Sequence, residues 1–146
     1  MKKFGFILCF VFAIMFVLTG CGGLSGTWSV GVYTITYNDG TFFEYTTAQA
    51  DEFEIVEGEN LTLEDQAKNY IIAIHENNTS LTMKFNGDKI VMGNDASAME
   101  YEYCIEGDRL VIKDFQGTFY YNQEENSIYA MMQTETFEIC VYLQQI

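Results

Sequence analysis

Residues 26–47 read GTWSVGVYTITYNDGTFFEYTT, and this stretch decides the fold class. Two runs rich in aromatic and β-branched residues, 27–37 and 41–47, flank the tripeptide Asn38-Asp39-Gly40. Such residues favour strands, and Asp-Gly between two such runs is a strong signal for a tight hairpin turn. The stretch therefore predicts an antiparallel hairpin at the start of a β domain.

The same pattern continues to the C-terminus. Turn signals recur at 86–88, 93–95, 106–108, 116–117 and 122–126. Between them apolar and polar residues alternate, as in Met99, Tyr101, Tyr103 and Ile105 against Glu100, Glu102, Cys104 and Glu106. One wet and one buried face indicate an antiparallel meander. We therefore expect a mostly β fold, a small barrel or sandwich of about eight strands.

One segment has helical spacing instead. Thr62-Leu63-Glu64-Asp65 resembles a capped helix start with acidic residues in the first turn. Apolar residues then recur at helical intervals, namely Leu63, Ala67, Tyr70, Ile71 and Ile74. The pattern predicts one helix from Leu63 to His75, ended by Asn77-Asn78. In the acidic stretch 48–60 before it, we expect a short strand at Phe53–Val56.

The N-terminus reads as a targeting segment. Lys2 and Lys3 precede an apolar run over 4–18 that ends in Leu18-Thr19-Gly20-Cys21. This pattern resembles the bacterial lipoprotein signal peptide with its lipobox. The resemblance implies cleavage before Cys21 and lipid on its thiol, giving a cleaved signal at 1–20, a lipidated tether at 21–26 and a β domain at 27–146. It also implies anchoring on the extracytoplasmic face of the cell membrane; an uncleaved N-terminal membrane helix is the alternative.

Charge limits the partners. Removing residues 1–20 lowers the basic residues from seven to five and keeps all 21 acidic ones, so the formal charge changes from −14 to −16. A charge of this sign argues against binding nucleic acid or anionic lipid headgroups. It is compatible with a cationic ligand, with a basic envelope protein, or simply with a soluble surface.

A second resemblance involves the first strand. Gly26-Thr27-Trp28 is similar to the Gly-x-Trp motif of lipocalins and of small lipocalin-like lipoproteins common in clostridia. There the tryptophan closes one end of a barrel. Lipocalins also place an arginine from a late strand over it, whereas the only arginine here, Arg109, opens a middle strand. The alternative is a small sandwich in which Trp28 is an ordinary core residue.

This resemblance implies a barrel that binds a small apolar or cationic ligand, with Trp28, Tyr101 and Tyr103 as candidate contacts. The aromatic side chains explain a filled interior equally well. A filled core would favour a non-catalytic interaction lipoprotein that contacts envelope proteins through its acidic surface.

The sequence offers no catalytic set, metal site or cofactor motif. His75 is the only histidine, and no nucleophile or orienting group is identified near it. Asn94, Asp95, Ser97 and Glu100 cluster but do not match a calcium loop. We expect no enzyme activity.

Two cysteines remain in the domain, Cys104 and Cys140. They lie four strands apart in the predicted meander, both on the more polar face. Sulfur atoms on opposite walls cannot reach the Cα separation of about 5.5 Å that a disulfide needs. We therefore expect two unbridged thiols.

Overall fold

The structure, a computed structural model, describes residues 23–78, 80–94 and 97–146. The predicted signal and lipobox residues Leu18-Thr19-Gly20-Cys21 and Asp95 of the acidic loop lie outside the described residues. Nine strands occur within the described ranges: β1 (Gly26–Tyr37), β2 (Phe42–Thr46), β3 (Thr82–Asn86), β4 (Lys89–Gly93), β5 (Met99–Glu106), β6 (Arg109–Ile112), β7 (Phe119–Asn122), β8 (Ser127–Gln133) and β9 (Phe137–Gln145). Two helices accompany them: α1 (Thr47–Asp51) and α2 (Leu63–Asn78).

The strands close into an antiparallel barrel. Strands β3 to β9 pair in chain order, and β9 returns to pair with β1 from Trp28 to Tyr37. The first residues of β1, Gly26 to Ser29, pair with β3 and complete the ring of eight strands. This confirms the mostly β meander of about eight strands, as a closed barrel consistent with a small lipocalin-like fold rather than a sandwich.

Strand β2 lies outside this ring. The predicted hairpin is present, and β2 pairs with β1 only over Val32 to Thr36. The pairing of β1 with β9 shifts between Val30 and Val32, where Gly31 forms a bulge. A bulge bends the strand and increases its twist. Strand β1 can therefore pair with β3 over its first residues and with β2 over its last ones.

Helix α2 begins where the sequence predicts and extends three residues further. Thr62 caps it: its hydroxyl accepts from Asp65 N–H at 3.1 Å and donates to Asp65 Oδ2 at 2.8 Å. The helix ends at Asn78 instead of His75. Asn77 and Asn78 donate their side-chain amides to backbone carbonyls four residues back, at 2.8 and 2.7 Å, so they prolong the last turn.

The segment before α2 differs from the prediction. Phe53–Val56 is not a strand and runs irregularly between the two helices. The backbone N–H and C=O of Val56 both bond the side chain of Asn69 on α2, each at 2.9 Å. A helix side chain thus replaces the neighbouring strand. The short helix α1 was not predicted, although Thr46 and Gln49 form a capping box at its start.

One end of the barrel is filled. Trp28 is 1% exposed, packs edge-on against Phe85 and donates its indole N–H to Ser25 O at 3.0 Å. Tyr103 packs on Phe85 from the other side, with ring centroids 5.0 Å apart. Its hydroxyl donates to Gly87 O at 2.9 Å. We call this the closed end.

Helix α2 covers the opposite end. Ala67 and Ile71 are fully buried on its inner face. Tyr70 packs against Phe137 at the start of β9, with centroids 4.6 Å apart. Tyr37, the last residue of β1, donates its hydroxyl to Leu63 O at 3.1 Å. We call this the helix-covered end.

Cys104 and Cys140 are not bridged in the structure. Strands β5 and β9 lie four positions apart in either direction around the ring, so Cys104 and Cys140 are on opposite walls. Cys140 is nevertheless buried, although we expected the more polar face. In register it lies between Thr34 on β1 and Met131 on β8, and these neighbours cover it.

Cys140 should therefore react slowly. Burial first, and then the negative charge of Glu138, raise the pKa of its thiol, so less thiolate is present at a given pH. In the chain from Gly22 onward, we expect Ellman's reagent to modify Cys104 first and Cys140 only as the protein unfolds. A Cys140→Ser variant should keep the fast phase alone. Finding no reactive thiol in denaturant without a reductant would reveal a disulfide and contradict the strand order.

Candidate functional site

An apolar cavity of about 270 Å³ opens at the helix-covered end. It lies between the C-terminal half of α2 and the inner faces of β7, β8 and β9. Its wall includes Ile74, Asn78, Phe119, Ala130, Ile139 and Val141. The barrel is therefore filled at the closed end and hollow beside the helix.

The strand register explains why space remains there. Phe119, Ala130 and Val141 face one another across β7, β8 and β9, in a row that continues to Tyr33 on β1. Alternation along each strand turns all four side chains toward the interior. Ala130 has the smallest side chain of the four. The space that a larger side chain would fill at this position remains open between Phe119 and Val141. A single alanine thus helps to keep the cavity open.

The chemistry of the cavity is almost entirely apolar. Asn78 supplies the polar side chain in its lining, and the Asn78 amide already donates to Ile74 O. No carboxylate or basic side chain is part of the lining. Met131 and Met132 stand at the rim, 41% and 50% exposed, and methionine side chains adapt readily to different shapes. Such a wall favours an apolar ligand over a cationic one.

A buried polar network adjoins the cavity. The Tyr33 hydroxyl lies 2.7 Å from His75 Nδ1, and His75 Nε2 lies 2.7 Å from Asp51 Oδ1. Tyr33 is fully buried and His75 is 6% exposed, whereas Asp51 faces solvent. If His75 is neutral with its proton on Nε2, it donates to Asp51 and accepts from Tyr33. All three partners are then satisfied.

This network connects the barrel wall to both helices. Burial, followed by the charge of Asp51, raises the pKa of Tyr33 to about 12, so its hydroxyl stays protonated at neutral pH. The hydroxyl therefore holds α2 and α1 on β1 through His75.

Sequence reasoning found no partner for His75. Tyr33 and Asp51 are 42 and 24 residues away in the chain, too far for any local motif. One signal was present: His75 follows Ala67 and Ile71 at steps of four, on the buried stripe of α2. A polar group there must find hydrogen-bond partners, although the sequence does not say which.

The three candidate ligand contacts lie away from the cavity. Trp28 and Tyr103 belong to the closed end. Tyr101 is partly buried on β5, where its ring packs against Phe115 with centroids 5.7 Å apart. Their contact with a ligand stays a prediction, and the cavity offers a different set of residues.

Residues 23–78, 80–94 and 97–146 contain no group of three or more His, Cys, Asp or Glu residues placed to hold a metal ion. Nor do they contain a helix with the length and apolarity needed to cross a membrane.

Comparison with protein-family models, with curated proteins and with solved structures finds no match for this chain in any of the three. The lipoprotein and lipocalin-like resemblances therefore depend on the Leu18–Cys21 and Gly26–Trp28 motifs alone.

Tyr33→Phe tests the buried network. It removes one hydroxyl and leaves His75 Nδ1 without its donor, so we expect unfolding to become easier by about 1–3 kcal/mol. Tyr101→Phe is the matched control, because its hydroxyl contacts only the sulfur of Met99, at 3.6 Å. Urea unfolding followed by circular dichroism compares the two. Equal losses in both variants would show that the network does not stabilise the fold.

Proposed function

We propose that the protein is a lipid-anchored, extracytoplasmic binding protein that holds a small apolar ligand in the cavity beside α2. The apolar cavity at the helix-covered end carries the proposal. A filled barrel would leave no place for a ligand, whereas this wall offers about 270 Å³ with no charged side chain. The proposed lipid anchor at Cys21 is supported only by the resemblance of Leu18–Cys21 to a lipobox.

The size of the cavity limits the ligand. Its volume is just below the range of about 300–1,000 Å³ typical of drug-sized ligand sites. It accommodates roughly nine carbon-sized groups, at about 30 Å³ each. A short acyl chain or a small ring compound fits this description. Burying that number of methylenes gains about 7 kcal/mol before the costs of association, so we expect micromolar or weaker affinity.

The N-terminal tether fixes the direction in which the cavity would face. Leu24 is buried at the closed end, where its N–H donates to the Tyr103 hydroxyl at 3.3 Å. Cys21 is three residues earlier, and three extended residues span about 10 Å at most. A lipid on Cys21 would therefore hold the closed end near the bilayer, with the helix-covered end away from it. A ligand would enter from the extracytoplasmic side.

The alternative is a non-catalytic interaction lipoprotein with a filled core and an acidic contact surface. The packing of Trp28, Phe85 and Tyr103 at the closed end supports the filled core for that half of the barrel. The apolar cavity favours the ligand-binding proposal for the other half. The two roles use different surfaces and are compatible with each other.

Ala130→Phe should block ligand binding. The added ring would occupy the cavity from the middle of its wall. We expect native mass spectra of the chain from Gly22 onward to show a discrete added mass for the wild type after exposure to a cell-envelope lipid extract. The variant should carry no such mass.

Ala73→Phe is the matched control, since it adds the same ring on the exposed face of α2. This variant should bind as the wild type does. A clean unliganded mass for the wild type under every condition, or equal loss of binding in both variants, would contradict the proposal.

Cys21→Ser tests the anchor independently. The substitution removes the thiol that would receive lipid, so labelled palmitate should no longer be incorporated and the signal should no longer be cleaved before residue 21. Cys9→Ser removes a thiol within the apolar run and should change neither result. A wild type that stays in the membrane fraction without lipid on Cys21 would instead indicate an uncleaved N-terminal helix.

A further inference from the structure

Three tyrosines form a row on the outer wall of the barrel. Tyr120, Tyr129 and Tyr142 are neighbours in register on β7, β8 and β9. Their ring centroids are 5.1 and 5.5 Å apart, with interplanar angles of 19° and 33°. All three are only partly buried. We call them the tyrosine row.

A surface depression lies on each side of the β7–β8 turn, next to this row. The first, of about 440 Å³, has Tyr129 in its wall together with the carboxylates of Asp108 and Glu124. The second, of about 390 Å³, has Tyr142 together with the carboxylates of Glu44 and Glu125. Each depression thus combines an aromatic ring with two carboxylates.

Hydrogen bonds within the β7–β8 turn fix the backbone of Glu124 and Glu125 in the unbound protein. Glu124 and Glu125 are consecutive, yet they line different depressions. Asn122 Oδ1 accepts from the backbone N–H of both, at 3.0 and 3.2 Å. Tyr121 donates its hydroxyl to Asn126 Oδ1 at 3.1 Å. A turn fixed in this way loses little conformational entropy on binding.

The carboxylates of the depressions lack basic partners. Within the described part of the chain, none of the four forms an ion pair, and no Lys or Arg lines either depression. Three of the lysines are instead paired elsewhere, with Glu64 and Glu102. Arg109 follows Asp108 in the chain and pairs in register with Tyr120, so the first depression has one basic residue beside it. The second depression is lined by two carboxylates and no basic residue.

Two further observations concern the depression walls. Asp108 and Tyr129 line the same depression, and burial first, and then the charge of Asp108, raise the pKa of Tyr129. Ser127 lines the second depression, and its buried hydroxyl has no hydrogen-bond partner among the described residues.

We propose that this outer face binds a basic segment of a partner protein, with one Lys or Arg side chain in each depression. A cationic head would be held by carboxylates, while its apolar stem packs against the part of Tyr129 or Tyr142 that lines the depression. Two depressions separated by one turn suit two cations joined by a chain better than a single ion.

The first experiment measures binding of a fluorescein-labelled octapeptide of alternating lysine and serine. The full chain, purified in non-ionic detergent, is titrated at about 20 mM and 150 mM salt with anisotropy as the readout. Glu124→Gln/Glu125→Gln removes one carboxylate from each depression, and we expect binding to weaken about tenfold. Tyr129→Phe should preserve binding and Tyr129→Ala should weaken it, since the ring provides the contact.

Glu57→Gln/Glu59→Gln is the charge-matched control, because it removes two exposed carboxylates from the segment before α2. Binding should change by less than about twofold in this variant. Thermal unfolding verifies that every variant is folded. Equal weakening in the two double variants would show general attraction to an acidic protein and overturn the proposal. So would absence of binding to the folded wild type at low salt, or equal binding of the peptide with acetylated lysines.

Discussion

Closure of the barrel through β1 is the constraint on which the rest of the structure depends. This one strand pairs with β9 along most of its length, with β3 at its beginning and with β2 at its end. A straight strand could not serve all three, and the bulge at Gly31 supplies the bend. Strand β2 pairs with β1 beyond this bend and lies outside the ring of eight strands. The chain after β2 then forms both helices, and α2 covers one end of the barrel. The opposite end is left to Trp28 and its neighbours.

The helix-covered end is held by hydrogen bonds that span long stretches of chain. The Tyr33–His75–Asp51 network and the bond from Tyr37 to Leu63 connect β1 to the helices. Since the folded state raises the pKa of Tyr33 from 10.0 to about 12, its stabilising contribution is complete below pH 10 and lost as the pH rises toward 12. At neutral pH the hydroxyl is a fixed donor. The wall of the cavity is thus built on a network that does not titrate through Tyr33 under physiological conditions.

The sequence predicted correctly those features that depend on interactions between residues close together in the chain. The Asn38-Asp39-Gly40 turn, the alternating strands and the Thr62 cap are all present, because each depends on residues close together in the chain. The strand expected at Phe53–Val56 is absent because Asn69 supplies its hydrogen bonds, and this partner becomes adjacent only in the folded protein. The cavity was equally invisible in the sequence. It depends on Ala130 facing Phe119 and Val141, a three-strand register that no single segment specifies.

Both proposed surfaces use the same wall. Along β8, Ala130 points toward the cavity while Tyr129 points outward, because side chains alternate between the faces of a strand. The tyrosine-row depressions lie toward the closed end, since the β7–β8 turn meets the end of β9 near the start of β1. With lipid on Cys21, that end would be close to the bilayer. The anchor would therefore turn the acidic depressions toward the bilayer and the cavity away from it.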